Sequence, residues 1–521
     1  MVIGIDLGTT YSAVSYLDEK GDPQIILNRD GDATTPSVVF VDDKEVTVGK
    51  HARKKALQWP KKICRCVKRF MGFRENVLKE KEVSYSPEAI AAFIVKRLIE
   101  DVLIQRNEKI NGIVVTVPTY FTDSKRIATI QAVNSALQAI EQNSQEMGDK
   151  IKDVDFIEII DEPKAAAIYY CHKSKTKQGK VLIYDLGGGT FDTALVDING
   201  NTIKIVAEAE EHAAGGHYFD NKVLEYVISY MDETYGMDLK EEKYSSEREL
   251  ILMEIENCKK MLSKEEIDEV KIPVCCKNTI YDVVLTREKF NQIIEPIVLR
   301  TKEAVCFMLE EKGYELEEVD EVVLVGGSSK IPFVRNCLKD IFEKELCEAI
   351  DPEMAVTYGA SVYANMLLME KNVENDKEKE ESQKSEVMKL EDVCTHSIGL
   401  LTIDPNTGGK INTILIDENT PIVAEIEKLY EIAHQHQTYI KLELTEAEEI
   451  ICEKPIKLPK PLEQGTEVMI RVVVNSSHLI EVHLRIPSID FYKKYEIPRL
   501  QNLSEEEQME LSGLVASKNL H

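Results

Sequence analysis

The chain has 521 residues and a net charge of −28, and 43% of its residues are hydrophobic. This length predicts three or four structural units, since one domain usually holds about 100–200 residues. The strongly acidic composition disfavours nucleic acid as a partner, because an acidic surface repels the phosphate backbone.

The 11 cysteines are scattered and include no C-x-x-C pair, which favours reduced thiols in a reducing compartment and disfavours a zinc site. A strand pattern begins at residue 2, so we expect no signal peptide. No apolar run approaches the roughly 18 residues of a membrane span. These features predict a cytoplasmic protein without a membrane partner.

The first part of the chain alternates between strand and helix patterns. Its predicted elements are short strands over 1–50, a helix over 86–105, a buried strand over 110–121, a helix over 122–140 and a loop or extended helix end over 141–153. Ser86 can cap the first of these helices, and Thr122 with Asp123 can cap the second.

The second part repeats this alternation. Its predicted elements are a hairpin over 181–198, helices over 217–235 and 246–264, a strand within 321–332, a helix that ends near 344 and a helix that opens at Asp351. Alternation of this kind predicts an α/β fold wound into two lobes.

The composition changes after Glu370. The next stretch is charged and nearly free of apolar side chains up to Met388, so it cannot bury a core and predicts a linker. Residues 394–486 alternate apolar and polar side chains between turn signals, which predicts an antiparallel β domain. A capping box at Ser504 and Glu507 predicts a short terminal helix. The predicted segments are 1–370, 371–393, 394–500 and 501–521.

Two hairpins of one design open the two α/β halves. In "VIGIDLGTTYSAVSYL" (2–17), Asp6 closes a strand and Gly8 follows. In "VLIYDLGGGTFDTALVDI" (181–198), Asp185 closes a strand and three glycines follow. The repetition predicts two related subdomains that face each other.

The glycines and carboxylates of these hairpins favour a phosphate site. A tight turn explains one or two glycines, but not the three of Gly187–Gly189. Bare amides in a turn can hold phosphate oxygens, and carboxylates beside a phosphate need a cation such as Mg²⁺ between them. We therefore expect Asp6 and Asp185 to face one metal, with Thr9 or Thr10 near the place of Thr190.

Other stretches could serve the same chemistry, although each has an ordinary structural explanation. Gly326 and Gly327 could admit a ring or a phosphate, or could form a strand-to-helix turn. Lys68 could touch a phosphate, and Glu162 could orient a water or favour a helix dipole. One helix face, which alone is typical of a solvated surface, carries Glu256, Lys259, Lys260 and Ser263.

Seven motifs, taken in order, carry a resemblance to a known family: "IGIDLGTTYSAV", "VKRFMG", "VTVPTYF", "DEPKAAA", "YDLGGGTFD", "LVGGSSKIP" and "AVTYGAS". Over residues 2–366 the chain resembles the seventy-kilodalton heat-shock chaperone family of the DnaK type, and over 394–490 it resembles that family's β domain weakly. The resemblance implies an α/β actin-like ATPase domain with two lobes and a duplicated ribonuclease-H-like core. A small antiparallel β-sandwich that binds extended peptides would follow.

The resemblance also implies site residues, wherever the motifs match. Carboxylates that organise Mg²⁺ and K⁺ would be Asp6, Asp185 and Asp192. Catalytic roles would fall to Lys68, Glu162, Asp185 and Thr190. ATP or ADP would be bound by Gly8, Thr9, Thr10, Tyr11, Gly187, Gly188, Gly189, Gly215, Gly216, Glu256, Lys259, Lys260, Ser263, Gly326, Gly327, Ser328 and Lys330. Phosphoryl transfer is served mainly by such positioning and charge neutralisation.

In the β domain the resemblance implies a hydrophobic peptide groove. Its residues would be Leu400, Ile403, Tyr430, Ala433 and Ile440. The alternative is that these side chains fill the sandwich core. Only about 20 residues follow residue 500, so we expect the family's helical lid to be almost absent and bound peptides to leave quickly.

The sequence also departs from the family pattern. His217 and Tyr218 stand where two acids are usual, and Lys330 replaces an arginine that stacks on adenine. The implied partners are unfolded polypeptides, a J-domain co-chaperone and a nucleotide exchange factor. Glu158 lies near a family arginine that meets J-domains, and this charge reversal argues against an ordinary J-domain partner.

The linker departs as well. In "VMKLEDV" Leu390 and Asp392 are kept, but Lys389 and Glu391 interrupt what is normally a leucine-rich strand. This change predicts weakened or altered coupling between the domains.

Three functions follow from these observations. The first is an ATP-dependent chaperone, in which ATP opens the β domain and hydrolysis traps a peptide. The second is an actin-like kinase, against which the β domain argues. The third is an ATP-binding scaffold or exchange factor with little hydrolysis, which the altered linker favours.

Overall fold

A computed structural model describes residues 1–174, 178–276, 279–347, 350–375, 388–394, 396–403, 407–418, 420–447, 449–475, 479–496 and 503–521. None of the helices within these ranges is both long and apolar enough to cross a bilayer.

The first part of the chain contains eleven strands and five helices among the described residues. They are β1 (Val2–Asp6), β2 (Tyr11–Leu17), β3 (Pro23–Ile25), β4 (Thr35–Pro36), β5 (Val38–Val41), β6 (Glu45–Val48), α1 (Lys50–Lys55), β7 (Ile63–Arg65), β8 (Leu78–Glu80), β9 (Val83–Tyr85), α2 (Pro87–Arg106), β10 (Gly112–Val117), α3 (Asp123–Asn143), α4 (Gln145–Ile151), β11 (Phe156–Asp161) and α5 (Glu162–Lys173).

The second part continues the alternation. Its elements are β12 (Gln178–Leu186), β13 (Phe191–Asn199), β14 (Thr202–Glu211), α6 (Gly216–Tyr235), α7 (Ser245–Leu262), β15 (Glu269–Cys276), β16 (Thr279–Thr286), α8 (Arg287–Glu311), β17 (Glu321–Val325), α9 (Pro332–Phe342), α10 (Ala355–Asn375) and β18 (Lys389–Glu391).

The last part is mostly strand. Its elements are β19 (Ile398–Ile403), β20 (Lys410–Ile416), β21 (Ala424–Glu431), β22 (Gln437–Glu446), β23 (Glu449–Leu462), β24 (Glu467–Val474), β25 (Ile480–Ile486), β26 (Phe491–Glu496), α11 (Glu505–Ala516) and β27 (Asn519–Leu520).

The two α/β sheets share one arrangement around their hairpins. In the first, ordered β11-β10-β1-β2-β3, strand β1 is antiparallel to β2 and parallel to β10. In the second, ordered β17-β12-β13-β14-β18, strand β12 is antiparallel to β13 and parallel to β17. Each hairpin therefore stands at the centre of its sheet, with its turn at the carboxyl end of a parallel pair.

The helices α5 and α10 join the two sheets. Their apolar residues form one buried cluster with side chains from both sheets, among them Val2 and Val114 of the first and Val181 of the second. The packing is close: a Cβ on Gly359 of α10 would lie 1.8 Å from the carbonyl oxygen of Ala165 in α5. Small residues at this crossing bring the two hairpins within reach of each other.

Strands β19 to β26 form a sandwich of two antiparallel sheets, ordered β20-β19-β22-β23 and β21-β24-β25-β26. Alternate side chains of the two sheets face a common core that includes Leu444, Val472 and Leu484. Alternation with a period of two is the pattern from which the sequence predicts this domain.

The predicted boundaries need three corrections. The polar stretch 141–153 is mostly helix, since α3 continues to Asn143 and α4 begins at Gln145. The helix predicted to open at Asp351 begins at Ala355, because the Asp351 carboxylate accepts the N–H of Glu353 in a preceding turn. Helix α10 reaches Asn375, beyond the predicted start of the linker at 371. Residues 376–387 of that linker lie outside the described residues.

One predicted helix cap comes from elsewhere in the chain. Thr122 occupies the N-cap position of α3, but its side chain makes no cap hydrogen bond. The N–H of Asp123 instead donates to Glu446 Oε2 of the sandwich at 3.0 Å. A carboxyl oxygen at this position satisfies an orphan amide of the helix. The sandwich is thereby attached to the first α/β half.

The pH dependence of this contact follows from its burial. Burial and the nearby Glu449 raise the pKa of Glu446 to about 8, although Arg126 and Lys125 oppose the shift. The folded state therefore binds a proton that the unfolded chain, with an ordinary carboxyl pKa, has lost. Stability from this proton is present at low pH and is lost as the pH rises toward 8, at about 1.4 kcal/mol per unit or less.

We expect Glu446→Gln to remove this dependence, because the amide is neutral and keeps an oxygen for the Asp123 N–H. Thermal unfolding at pH 6 and pH 9 measures the effect, with Glu453→Gln, an exposed carboxyl on β23, as the control. Wild type should lose more stability than Glu446→Gln between the two pH values. Equal losses in the two proteins would contradict the assignment.

Candidate functional site

The turns of the two hairpins meet at a cavity of about 610 Å³. Its walls come from the β1–β2 turn, the β12–β13 turn, α7 and the stretch after β17. Most of the predicted nucleotide residues line it: Asp6, Gly8, Thr9, Thr10, Tyr11, Glu162, Asp185, Gly187, Gly188, Gly189, Thr190, Gly216, Glu256, Lys259, Lys260, Ser263, Gly326, Gly327, Ser328 and Lys330. Lys68, Asp192 and Gly215 stand directly behind this wall, as described below.

Two of the three consecutive glycines are needed for the hairpins to approach each other. A Cβ on Gly188 would lie 1.9 Å from Thr10 Oγ1, and one on Gly189 would lie 2.7 Å from Thr9 Oγ1. A Cβ on Gly187 would meet nothing closer than 3.8 Å. The glycines therefore admit the threonines of the opposite hairpin, and the backbone of the turn stays accessible from the cavity.

The glycine turn is held by hydrogen bonds to its carbonyl groups. The amides of Gly216 and His217 donate to the carbonyls of Gly187 and Gly188 at 3.0 and 2.8 Å. Ser328 Oγ also donates to the Gly187 carbonyl at 2.8 Å. Gly215, whose φ of 122° disfavours other residues, packs against the backbone of the same turn. The Gly187 amide itself donates to the Thr190 carbonyl at 3.2 Å, so the groups that the turn would offer to an anion are the amides of Gly188 and Gly189.

Three carboxylates lie at or directly behind the base of the cavity: Asp185 and Asp192 are buried, and Asp6 is half-buried. Burial and the neighbouring Glu162 raise the pKa of Asp6 to about 6. Burial, Glu162 and Asp6 hold the pKa of Asp185 well above its ordinary value. Burial and the repulsion of Glu210, Glu162 and Asp185 raise the pKa of Asp192. Crowded acids of this kind are stabilised in the charged form by a cation.

Lysine 68 supplies one positive charge to this acidic region. Its side chain is 3% exposed, and its ammonium group pairs with Glu162 and lies 3.5 Å from the carbonyl of Thr116. Thr116 Oγ1 donates to Asp6 at 3.1 Å. The lysine is therefore placed at the end of the cavity where Asp6 and Glu162 lie.

Thr190 and Asp192 form the other side of the acidic region. Thr190 Oγ1 donates to Asp192 Oδ2 at 2.8 Å, and the Thr119 amide donates to Asp192 Oδ1 at 3.1 Å. Both oxygens of Asp192 are thus engaged, so this carboxylate is fixed behind the threonine. Asp192 is not among the residues that line the cavity, so contact through water suits it better than direct ligation.

The acidic region fits Mg²⁺ bound together with phosphate. Within the described ranges, no group of three or more His, Cys, Asp or Glu side chains converges closely enough to hold a metal ion unaided. Mg²⁺ usually takes one or two carboxylates and completes its shell with water and phosphate oxygens. Asp6 and Asp185, which face the cavity from opposite hairpins, would supply those carboxylates.

The helix α7 closes the cavity on the side predicted for adenosine. Tyr11 Oη donates to Glu256 Oε1 at 2.5 Å and accepts from Lys260 Nζ at 3.0 Å. Lys259 Nζ lies 2.8 Å from Asp220 and donates to the Gly216 carbonyl at 3.0 Å. The four polar residues predicted for this helix face all line the cavity, and Lys260 is also 58% exposed to solvent.

Lys330 stands where the family has an arginine that stacks on the adenine ring, but its side chain is paired with two carboxylates. Its ammonium group lies 3.1 Å from Glu353 and 3.6 Å from Asp351. Lys330 still lines the cavity, as do Gly326 and Gly327. A Cβ on Gly326 would lie 2.4 Å from the Leu186 carbonyl, so this glycine is needed for close approach of the two strand ends.

A set of ion pairs between residues that line the cavity was not predicted from the sequence. Arg53 pairs with Glu256 and donates to Tyr11 Oη at 2.9 Å. Arg65 lies 2.5 Å from Glu249. A signal was present: residues 46–74 contain ten lysines and arginines and no acidic residue, in a chain of net charge −28. Such a basic segment predicts pairing with an acidic surface elsewhere in the chain.

The predicted peptide-groove residues are not equally accessible. Leu400 is 3% exposed and belongs to the sandwich core, whereas Ile403 on the same strand is 50% exposed. Tyr430 and Ile440 are half-buried at the edge of the core, and Ala433 is exposed. In this conformation Leu400 follows the alternative interpretation, that of a core residue, and the other four reach the surface.

Substitution of the glycines tests the account of the turn. We expect Gly188→Ala to destabilise the protein by about 1–3 kcal/mol, since the new methyl group collides with Thr10 and overpacks the contact. Gly187→Ala, where space exists, should cost less than about 1 kcal/mol. Thermal unfolding without nucleotide distinguishes the two variants. A Gly188→Ala protein as stable as Gly187→Ala would show that the hairpins do not meet in this way.

A comparison with protein families places this geometry in context. The model for the Hsp70 protein family matches residues 2–486, a span that contains the whole cavity and the sandwich up to β25. Members of that family are ATPases that use ATP or ADP with Mg²⁺ and bind unfolded polypeptides. Because the match covers most of the 521 residues, this chain belongs to the Hsp70 family.

Proposed function

We propose that the chain is an ATP-dependent molecular chaperone, which hydrolyses ATP to control the binding of extended hydrophobic segments of unfolded proteins. The observation that carries this proposal is the cavity between two glycine hairpins, with the half-buried Asp6 and the buried Asp185 at its base and the buried Asp192 behind it. A metabolite kinase would use a similar cavity, but it has no need of a peptide-binding sandwich.

The proposal divides the chain into an actin-like nucleotide domain over 1–370, a linker over 371–393, a peptide-binding sandwich over 394–500 and a helical tail. The nucleotide domain would have two lobes with a duplicated ribonuclease-H-like core. The two hairpins hold the same position in their respective sheets, and this similarity supports the division. We propose a cytoplasmic location, with unfolded clients, a J-domain protein and a nucleotide exchange factor as partners.

The phosphates of ATP would lie between the two turns. The amides of Gly188 and Gly189 would donate to phosphate oxygens, and Thr9 and Thr10 would contact them from the opposite hairpin. Mg²⁺ neutralises charge on the phosphates when it is bound, and Asp6 and Asp185 would hold it with its waters. K⁺ would be accommodated near Asp192 in the same acidic region.

Lys68 and Glu162 would organise the attack of water on the terminal phosphate. Lys68 is buried and already paired, so its ammonium group is held in one place and needs little reorganisation. Glu162 would accept a hydrogen bond from the water and orient it. Thr190 Oγ1 donates its one proton to Asp192, so it would accept a hydrogen bond from the same water.

The sandwich would bind the peptide at its exposed apolar surface. Ile403, Ile411 and Tyr439, on three neighbouring strands of one sheet, are each at least half exposed, as is Leu429 on β21 of the other sheet. Sheets commonly bind extended peptides through backbone hydrogen bonds and a few side-chain pockets. Ile403, Tyr430, Ala433 and Ile440 are therefore proposed as contacts, and Leu400 would join them only after a local rearrangement.

A second candidate is an ATP-binding scaffold or exchange-factor relative with little hydrolysis. Contacts between residues that line the cavity favour it: Arg53 pairs with Glu256, and Arg65 pairs with Glu249. We expect these contacts to slow the release of nucleotide. Slow release would keep the protein in one nucleotide state and suit a scaffold.

Substitution of Lys68 distinguishes the two candidates. We expect Lys68→Ala to slow single-turnover ATP hydrolysis by about 10²-fold or more, because it removes a preorganised positive charge from the reacting phosphate. ATP affinity should change much less, since the glycine turns remain. The exposed Lys79→Ala serves as the control and should hydrolyse ATP at the wild-type rate.

A wild-type rate of ATP hydrolysis that falls in Lys68→Ala supports the proposed ATPase. ATP binding with equally slow turnover in wild type and in Lys68→Ala would reject it in favour of the scaffold.

A further inference from the structure

The residues that follow the sandwich return to the nucleotide domain. Helix α11 packs against α2 and α3, and buries Leu511 and Val515 in the core of the first α/β half. Strand β27 then pairs in parallel with β6 and extends the sheet to the order β27-β6-β5-β7. The tail is therefore part of the nucleotide domain's own packing.

Hydrogen bonds fix this tail along its length. Gln131 of α3 exchanges two with the backbone of Leu503, donating at 2.7 Å and accepting at 3.3 Å. Ser512 Oγ donates to Gln138 at 2.6 Å. Lys518, 7% exposed, donates to the Asp43 carbonyl at 2.6 Å. Backbone bonds join His521 to β6 in both directions, at 2.8 and 3.0 Å.

The other end of the sandwich is fixed to the nucleotide domain as well. Strand β18 pairs in parallel with β14, and the Lys389 amide donates to the Asn201 carbonyl at 2.8 Å. One residue after β18, Asp392 lies 2.6 Å from Lys164 Nζ. This lysine is fully buried and also faces Asp161 at 2.5 Å and Glu208 at 3.6 Å.

A third contact lies between these two ends. Glu446 caps α3 through the Asp123 amide, and the ring of Tyr120 meets His396 edge-on with centroids 5.3 Å apart. Tyr120 Oη is engaged with the Glu208 carbonyl at 3.2 Å. The sandwich is thus held where the chain enters it, where it faces α3, and where the chain leaves it.

We propose that the sandwich stays docked on the nucleotide domain whether the cleft holds ATP, ADP or no nucleotide. The attachment at both chain ends carries this inference, together with the buried contact of Asp392 with Lys164. It goes beyond the proposed ATPase and holds whether or not the cleft hydrolyses ATP. Communication between nucleotide and peptide is then confined to local shifts within a docked assembly.

The physical argument rests on the double attachment. A domain tied at one end can swing away once its interface opens, whereas a domain tied at both ends cannot. Only residues 497–502 separate β26 from Leu503, so the exit can extend to about 25 Å at most. A short tether keeps the effective concentration of the two surfaces in the millimolar range, and any broken contact re-forms readily.

The charged groups at the linker also favour the docked state. Undocking would take Asp392 away from a buried lysine and leave that lysine with less compensation, which is costly inside a protein. It would also leave the Asp123 amide without its acceptor from the sandwich. None of these contacts touches the cavity residues, so the loss of nucleotide does not break them directly.

Hydrogen exchange of the full-length chain tests the inference. The amides of Lys389 and Asp123 both donate across the docked interface. Peptides that cover 118–126 and 388–394 are followed in the presence of a non-hydrolysable ATP analogue, in ADP and without nucleotide, and small-angle scattering gives the radius of gyration. We expect exchange rates within about threefold of one another and one radius in all three states. Exchange more than 100-fold faster in ADP or without nucleotide, or an expanded radius, would overturn the proposal.

A variant that lacks the anchors completes the test. Asp392→Asn and Glu446→Ala, combined with deletion of 504–521, should raise exchange in 388–394 more than 100-fold and expand the molecule. The matched control carries Asp417→Asn and Glu453→Ala, two carboxylates of the sandwich, and keeps the tail. Circular dichroism confirms that each variant is folded. A folded anchor variant that remains as compact and protected as wild type would refute the role given to these contacts.

Discussion

The contact between two glycine-bearing turns is the constraint on which the rest of this structure depends. Gly188 and Gly189 admit Thr10 and Thr9 of the opposite hairpin at distances that no other residue would permit. This approach brings Asp6 and Asp185, which end the adjoining strands, to the base of one cavity. The small residues of α5 and α10 make it possible by letting the two sheets pack closely.

The approach of the two hairpins also concentrates negative charge at the base of the cavity. The carboxyl groups with raised pKa values are stabilised in their charged form by nearby cations, and Lys68 supplies only one positive charge. A nucleotide with its metal would supply the remainder of the positive charge and, through the phosphates, the oxygens that the metal needs. The same rule applies at the domain interface, where Lys164 is buried among three carboxylates that come from three different elements. In both places an acidic chain uses a single buried lysine to organise a site.

Local features of the structure could be predicted from the sequence. Ser86 caps α2, Ser504 and Glu507 form a capping box, and the two hairpins have the strands that their alternation indicates. These signals depend on residues a few positions apart. The residues that line the cavity were accessible through family resemblance, and the geometry brings most of them together.

Contacts between distant segments could not be predicted in the same way. The cap of α3 is Glu446, 323 residues from Asp123 in the chain, while the nearby Thr122 looks adequate in the sequence. Arg53 reaches Glu256 across 203 residues. The burial of Leu400 and the pairing of β27 with β6 depend on which surfaces meet, and a pattern of apolar residues does not contain that information.

The central claim is that buried carboxylates from two hairpins hold ATP phosphates through a metal ion. Calorimetric titration of ATP into the full-length chain, in Mg²⁺ and then in excess chelator, tests it most directly. The account predicts that ATP binds more than tenfold more weakly without Mg²⁺, because unscreened phosphates would face Asp6 and Asp185. Equal affinity in the two conditions would contradict it, since the acidic base of the cavity would then play no part in holding the nucleotide.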